Sequence, residues 1–112
     1  MSAPRLNRQL VLETPDMLSD GAGGSIRGWV PLGILWAQVT ARSGRETMQA
    51  GAPVSRMAYK ITVRAAPEGS DARPAAQQRF REGDRIFAIE AVAEADAEGR
   101  YLTCLAEQEL VV

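Results

Sequence analysis

The sequence predicts a small all-β domain, an antiparallel barrel or sandwich of about six strands with one long loop and at most a short helix. Three observations carry this expectation. Apolar and polar residues alternate over short stretches, most cleanly in residues 57–66 (MAYKITVRAA). Clusters of Gly, Pro, Asp and Ser punctuate the chain at short spacing. No stretch keeps a helical period long enough for a sizeable helix. With 112 residues the chain is expected to form one domain, 1–112, because domains run to roughly 100–200 residues. A chain of this length buries about two-thirds of the surface that its unfolded form exposes, enough for one modest core without a metal or disulfide.

The elements follow in order. Residues 7–13 (NRQLVLE) read as a strand that Thr14-Pro15-Asp16 breaks. Residues 15–27 hold Pro15, Asp16, Asp20, Gly21, Gly23, Gly24 and Ser25, which either permit positive φ or satisfy their own backbone. That density marks a long loop, or a hairpin arm whose strand-like flanks meet over the glycines. Trp29 stands where this segment returns to the body and pins its base. Residues 34–42 (ILWAQVTAR) make the central strand, with Leu35, Ala37, Val39 and Ala41 on one face and Ile34, Trp36, Gln38 and Thr40 on the other. Large groups on both faces predict that its start is covered on both sides, with Trp36 anchoring the core.

Residues 43–53 read as a turn followed by one helical turn over 46–50, ended by Gly51 and Pro53. In residues 57–66, Tyr59, Ile61, Val63 and Ala65 face inward and Lys60, Thr62 and Arg64 outward. Residues 67–74 form an exposed turn. A short strand over 77–82, a Gly83-Asp84 turn and a strand over 85–93 come next. Residues 94–99 (EADAEG) form a hairpin loop closed by glycine, and 100–110 the returning strand, with Leu102, Cys104 and Ala106 on one face.

Composition excludes much chemistry. The chain has no histidine, which removes Ser-His-Asp and Cys-His nucleophile pairs, His-ligated metals and the usual base near neutral pH. One cysteine permits no intrachain disulfide and no cysteine-based zinc site. Thirteen basic residues (all Arg except Lys60) against 14 acidic ones leave a net charge of −1, so no bulk field draws the chain to nucleic acid or anionic membrane. The longest apolar stretch, 29–37, falls short of the about 20 residues of a membrane span and contains Pro31 and Gly33. Residues 1–5 lead into a polar-interrupted run rather than a signal core, which fits a protein made in a reducing cytoplasm.

The remaining constellations read as structural. Glu90, Glu94, Asp96 and Glu98 lack the calcium-loop pattern and form a solvated hairpin. Gly21-Ala22-Gly23-Gly24 lacks both Walker spacing and a following helix, and reads as a loop tip. Cys104, mid-strand with no basic neighbour close in sequence, is an inert core cysteine. Arg79, Arg81 and Arg85 cluster around Phe80, where bases could stack if the aromatic were exposed; a solvated or subunit-facing surface is the other reading. No catalytic group, cofactor or metal is expected.

Taken in order, the residues resemble a known family. They are Arg5-Leu6, then Asp20-Gly21-Ala22-Gly23-Gly24 and Trp29, then Trp36-Ala37-Gln38-Val39, Gly44-Arg45-Glu46 and Tyr59-Lys60-Ile61-Thr62-Val63-Arg64. Residues 79–85, Ile86-Phe87-Ala88-Ile89 and a terminal strand over 102–105 with Glu107 complete the set. This ordered set resembles the head–tail joining proteins of tailed bacteriophages, of the head-closure or stopper type, also found in gene transfer agents. One departure is that Ala65-Ala66-Pro67 follow Arg64, where the family pattern carries another basic or aromatic residue.

The resemblance implies a small β-barrel that packs as a ring between a portal or adaptor ring on the capsid side and a tail terminator or tail tube on the other. It implies a channel or gating loop over 15–27, with Asp16, Asp20, Gly21, Gly23, Gly24 and Arg27, in transient contact with double-stranded DNA. Arg45 and Glu46, with Arg79, Arg81 and Arg85, are the expected subunit or partner interface. The expected location is the head–tail interface of a virion or gene transfer agent particle, assembled in the bacterial cytoplasm. Another joint component (adaptor or tail terminator) and a small oligonucleotide-binding barrel are the alternatives.

Overall fold

The computed structural model describes the backbone of residues 3–19, 21, 23–49 and 52–111, and their side chains except 17–19, 25–27, 43–49, 52–54 and 110–111. Six strands form its framework: β1 (Arg8–Ser19), β2 (Ser25–Gln49), β3 (Ala52–Arg64), β4 (Arg79–Glu82), β5 (Arg85–Glu94) and β6 (Tyr101–Val111). Every pairing is antiparallel, and the order β1-β2-β3-β6-β5-β4 closes on itself as a barrel. No helix occurs among the described residues.

Alternation decides the inside of the barrel. Leu10 and Leu12 of β1, Ala37 of β2, Ile61 and Val63 of β3, Phe80 of β4, Phe87 and Ile89 of β5, and Leu102, Cys104 and Ala106 of β6 are all buried. Register stacks them into rows. Leu12 faces Phe80, which faces Phe87, while Ala37 faces Val63 and Val63 faces Leu102. The Tyr59 ring meets Phe87 edge-on, with centroids 5.1 Å apart at 85°, the arrangement that ring quadrupoles favour. A barrel of six strands leaves room inside only for side chains.

β2 has 25 residues, where strands usually run to about 3–10. It outlasts the barrel at both ends. Its first part pairs only with β1, up to Ser19 against Ser25, and its last part pairs with β3, up to Gln49 against Ala52. A two-stranded arm of β1 and β2 and a three-stranded arm of β2, β3 and β6 therefore leave opposite ends of the barrel, and the longest dimension of the protein is 52 Å. Register shifts at Leu12/Glu13 and at Ala41/Ser43 mark where each departs.

Three expectations need correction. Residues 15–27 are not a loop; strand pairing continues through Pro15 and Asp16, so the hairpin-arm alternative holds. Residues 46–49 are strand, not a helical turn, because the β3 partners Ser55, Val54, Pro53 and Ala52 satisfy them; Ala50 and Gly51 lie outside the described residues. Trp36 does not anchor the core: it is 52% exposed and Ile34 64%, because the opposite face of β2, with Leu35 and Ala37, turns inward.

The layer through Leu12, Phe80 and Phe87 carries a direct test. Phe80→Ala empties a fully buried position, and its expected cost is about 3–5 kcal/mol. Urea unfolding should show a lower midpoint with an unchanged slope.

Candidate functional site

The arm formed by β1 and β2 is the feature of this barrel with the strongest functional character. Leu12 pairs with Gly33 and Glu13 with Pro31, so Leu32 is an extra residue on β2 and the ladder bends there. β1 pairs with β4 only through Val11, Leu12 and Glu13. Beyond Glu13 it has a neighbour on one side alone, and the pair continues as a two-stranded ribbon. Pro15, opposite Trp29, is tolerated because an edge position does not need its missing N–H. At the tip, Gly21 (φ +80°) and Gly23 (φ +85°) adopt left-handed backbone that a side chain would strain.

The base of the ribbon is locked electrostatically. Glu13 is only 6% exposed. Arg79 donates from Nε to its Oε1 at 2.7 Å, and Arg81 donates from Nε to its Oε2 at 3.0 Å. The two arginines share one face of β4 because they lie two residues apart, and register sets Arg79 directly across from Glu13. The Arg79 guanidinium also lies 4.1 Å from the centroid of the Trp29 ring. One carboxylate, two guanidiniums and one indole thus tie β1, β2 and β4 together where the ribbon leaves. Burial by itself pushes the Glu13 carboxyl up, but the hydrogen bonds from Arg79 and Arg81 outweigh it and hold the group below its usual range.

A second network closes the seam further along. Arg8 grips Glu82 with two hydrogen bonds, Nε to Oε2 at 2.7 Å and Nη2 to Oε1 at 2.6 Å. Arg85 stands 3.5 Å from the same carboxylate, donates to the Tyr59 hydroxyl and the Gln108 Oε1 at 3.2 Å each, and covers the Phe87 ring at 4.9 Å. The Arg8 hydrogen bonds lower the Glu82 pKa, against burial, and raise that of Arg8. Chemically, these arrangements hold position.

The expected site residues divide accordingly. Arg79 and Arg81 come together on Glu13, while Arg85 belongs to the second network. Asp16 is exposed on the ribbon, opposite Gly28, and Gly21, Gly23 and Gly24 are exposed at its end. Asp20 lies outside the described residues, as do the side chains of Arg27, Arg45 and Glu46; their backbones pair with Met17, Arg56 and Ser55. Phe80, the centre of the arginine cluster, is fully buried and offers no stacking platform. Sequence reasoning missed Arg8, Glu13 and Glu82. Their partners lie 66 to 74 residues away in the chain, and no local pattern signals them.

The other constellations are structural too. Asp96 accepts from the backbone N–H of Arg100 at 2.9 Å and of Tyr101 at 3.0 Å, closing the β5–β6 hairpin. Its burial works against ionisation, but these bonds and the Arg100 side chain bring its pKa down. Among the described residues no group of three or more Cys, Asp or Glu is placed to hold a metal ion. Cys104 is buried, which pushes its thiol up to about 12.

Glu13→Gln tests the lock, with an expected loss of about 1–3 kcal/mol at neutral pH. The folded-state pKa of Glu13 lies below its unfolded value of about 4.3. Its contribution is therefore full above that value and disappears as pH falls through the folded pKa. Urea midpoints measured at neutral pH and at about pH 3 should differ more for the wild type than for Glu13→Gln.

Comparison with known proteins agrees with this architecture. No curated protein matches the chain. Among solved structures, a chain from the virion of a native gene transfer agent (GTA) particle is 51% identical and superposes with a TM-score of 0.87, over 98% of this chain and 100% of that one. The profile of the phage head completion protein family matches residues 1–109. A match over nearly the whole length, joined to a closed all-β barrel with a projecting ribbon, shows that the chain belongs to the phage head completion protein family.

Proposed function

We propose that this chain is a head-closure subunit, of the stopper type, in a phage-like particle. Copies form a ring between the portal or adaptor ring and the tail. The ribbon of residues 15–27 reaches toward the channel, helps close it on packaged DNA, and the ring docks the tail. The reading treats residues 1–112 as one connector domain and assigns it no catalytic step. Family membership supports the head-associated structural role.

The observation that carries the finer reading is the ribbon itself: two strands that leave a closed barrel, anchored at the base by Glu13, Arg79, Arg81 and Trp29 and ended by left-handed glycines. The second arm leaves the opposite barrel end, which suits a subunit with one partner toward the capsid and another toward the tail. A helical adaptor does not match an all-β barrel. Near-neutral charge suits a DNA conduit, since every phosphate neutralised adds binding by counterion release and would slow passage.

Removing residues 20–24 should give particles that contain the protein yet leak DNA or fail to join tails. Normal DNA retention and tail joining in that deletion would sink the gating reading. A second expectation concerns the free protein: assembly templated by a preformed ring leaves it monomeric or weakly associated. Sedimentation at micromolar concentration checks this, and a stable closed ring in isolation would contradict it.

A further inference from the structure

β2 and β5 lie three strands apart whichever way the barrel is followed, so their outer faces form opposite walls. The β2 wall is bulky and apolar, with Ile34 and Trp36 as its most exposed large hydrophobic side chains. Its rim is basic. Arg64 of β3 lies beside Trp36, since Ala37 pairs with Val63, and the backbone of Arg5 donates to Gln38 next to Trp36 at 2.7 Å. The β5 wall is flat and carries negative charge at Glu90. Ala88, Ala91 and Ala93 are exposed there, with the exposed carboxylate of Glu90 between Ala88 and Ala91.

The charges on these two walls differ from those of the internal networks. Glu13, Glu82 and Glu107 each hold an arginine of this chain. The side chains of Arg5, Arg64 and Glu90 make no ion pair among the described residues. Opposite signs thus stand on opposite walls.

We propose that the β2 wall of one copy packs against the β5 wall of the next. Ile34 and Trp36 lie along the alanine strip, and the basic rim of Arg64 and Arg5 meets Glu90 of the neighbour. The assignment rests on the ring reading and says which surfaces build the ring. Two different walls in contact make a head-to-tail interface, which propagates and closes into a ring rather than stopping at a dimer. A two-fold pairing of the β2 wall with itself would set arginine against arginine. The charge pairs fix the register, while the covered apolar side chains supply the association. Walls on opposite sides of the barrel imply a ring of many subunits, because each step turns the chain only slightly.

Paired cysteines test the assignment in assembled particles, and the buried native Cys104 adds no background. With Trp36→Cys and Ala91→Cys in the same chain, oxidised particles should give a ladder of multimers on a non-reducing gel. Each single variant should stay monomeric, and dimers from Trp36→Cys alone would overturn the proposal. Formaldehyde-fixed wild-type particles provide the second arm. Fixed multimers without a cysteine ladder mean that a ring exists through other surfaces, which overturns the wall assignment only; no multimers in either arm defeats the ring reading itself. Charge reversal keeps the test independent of the cysteines. Arg64→Glu and Glu90→Lys should each cut incorporation into particles by about tenfold or more, and the combined variant should restore it. A combined variant that folds by circular dichroism but incorporates no better than the singles overturns the pairing.

Discussion

The barrel closes through a seam only three residue pairs long, Val11–Arg81, Leu12–Phe80 and Glu13–Arg79. Without that seam β1 and β4 would be open edges, each with a row of unpaired backbone groups. So short a ladder carries few backbone hydrogen bonds, and side chains reinforce both of its faces. Inside, Phe80 lies between Leu12 and Phe87 in a fully buried layer of the core. Outside, Glu13 accepts from both flanking arginines, and on the inward face, at the end of the barrel, Arg8 crosses to Glu82. These charged hydrogen bonds are partly screened from water, where they are stronger than the exposed ion pairs of Arg100 or Arg73.

The same seam sets where the functional arm begins. β4 has four residues and can pair with only a short part of β1. Past Glu13 the partner runs out, and β1 with β2 must go on alone. A two-stranded ribbon is marginal in water by itself, so it needs a firm root. Trp29 beneath Arg79, and Arg79 on Glu13, provide one. Barrel closure and arm orientation therefore depend on one small cluster of side chains.

The strand pattern was largely legible in the sequence, because alternation reports which residues share a face. Residues 57–66 and 100–110 show this: Ile61, Val63, Leu102, Cys104 and Ala106 are inside as their spacing requires. Alternation does not report which face is the inside when both carry apolar groups. In residues 34–37 the larger pair, Ile34 and Trp36, lies outside, and Leu35 and Ala37 fit the narrow interior. Glycine and proline misled at residues 15–27 because turn formers are poor in barrel strands but acceptable in a ribbon with open edges. The helical turn expected over 46–50 yielded to pairing with β3, a long-range effect that local propensity does not contain. The Glu13 lock was illegible for a related reason: its arginines are remote in sequence and become neighbours only through closure.

β2 runs unbroken from one arm, through the barrel wall, into the other. Its continuity has a mechanical consequence. Ladder hydrogen bonds lie perpendicular to the strands, so a pull along β2 loads many of them sideways at once instead of peeling them off singly. The covalent chain carries tension from one end of the subunit to the other without a turn, and it bends at the two bulges of β2, at Leu32 and Arg42. A displacement of the ribbon thus reaches the opposite end along one continuous strand, and the barrel between the two bulges is the bearing that holds it.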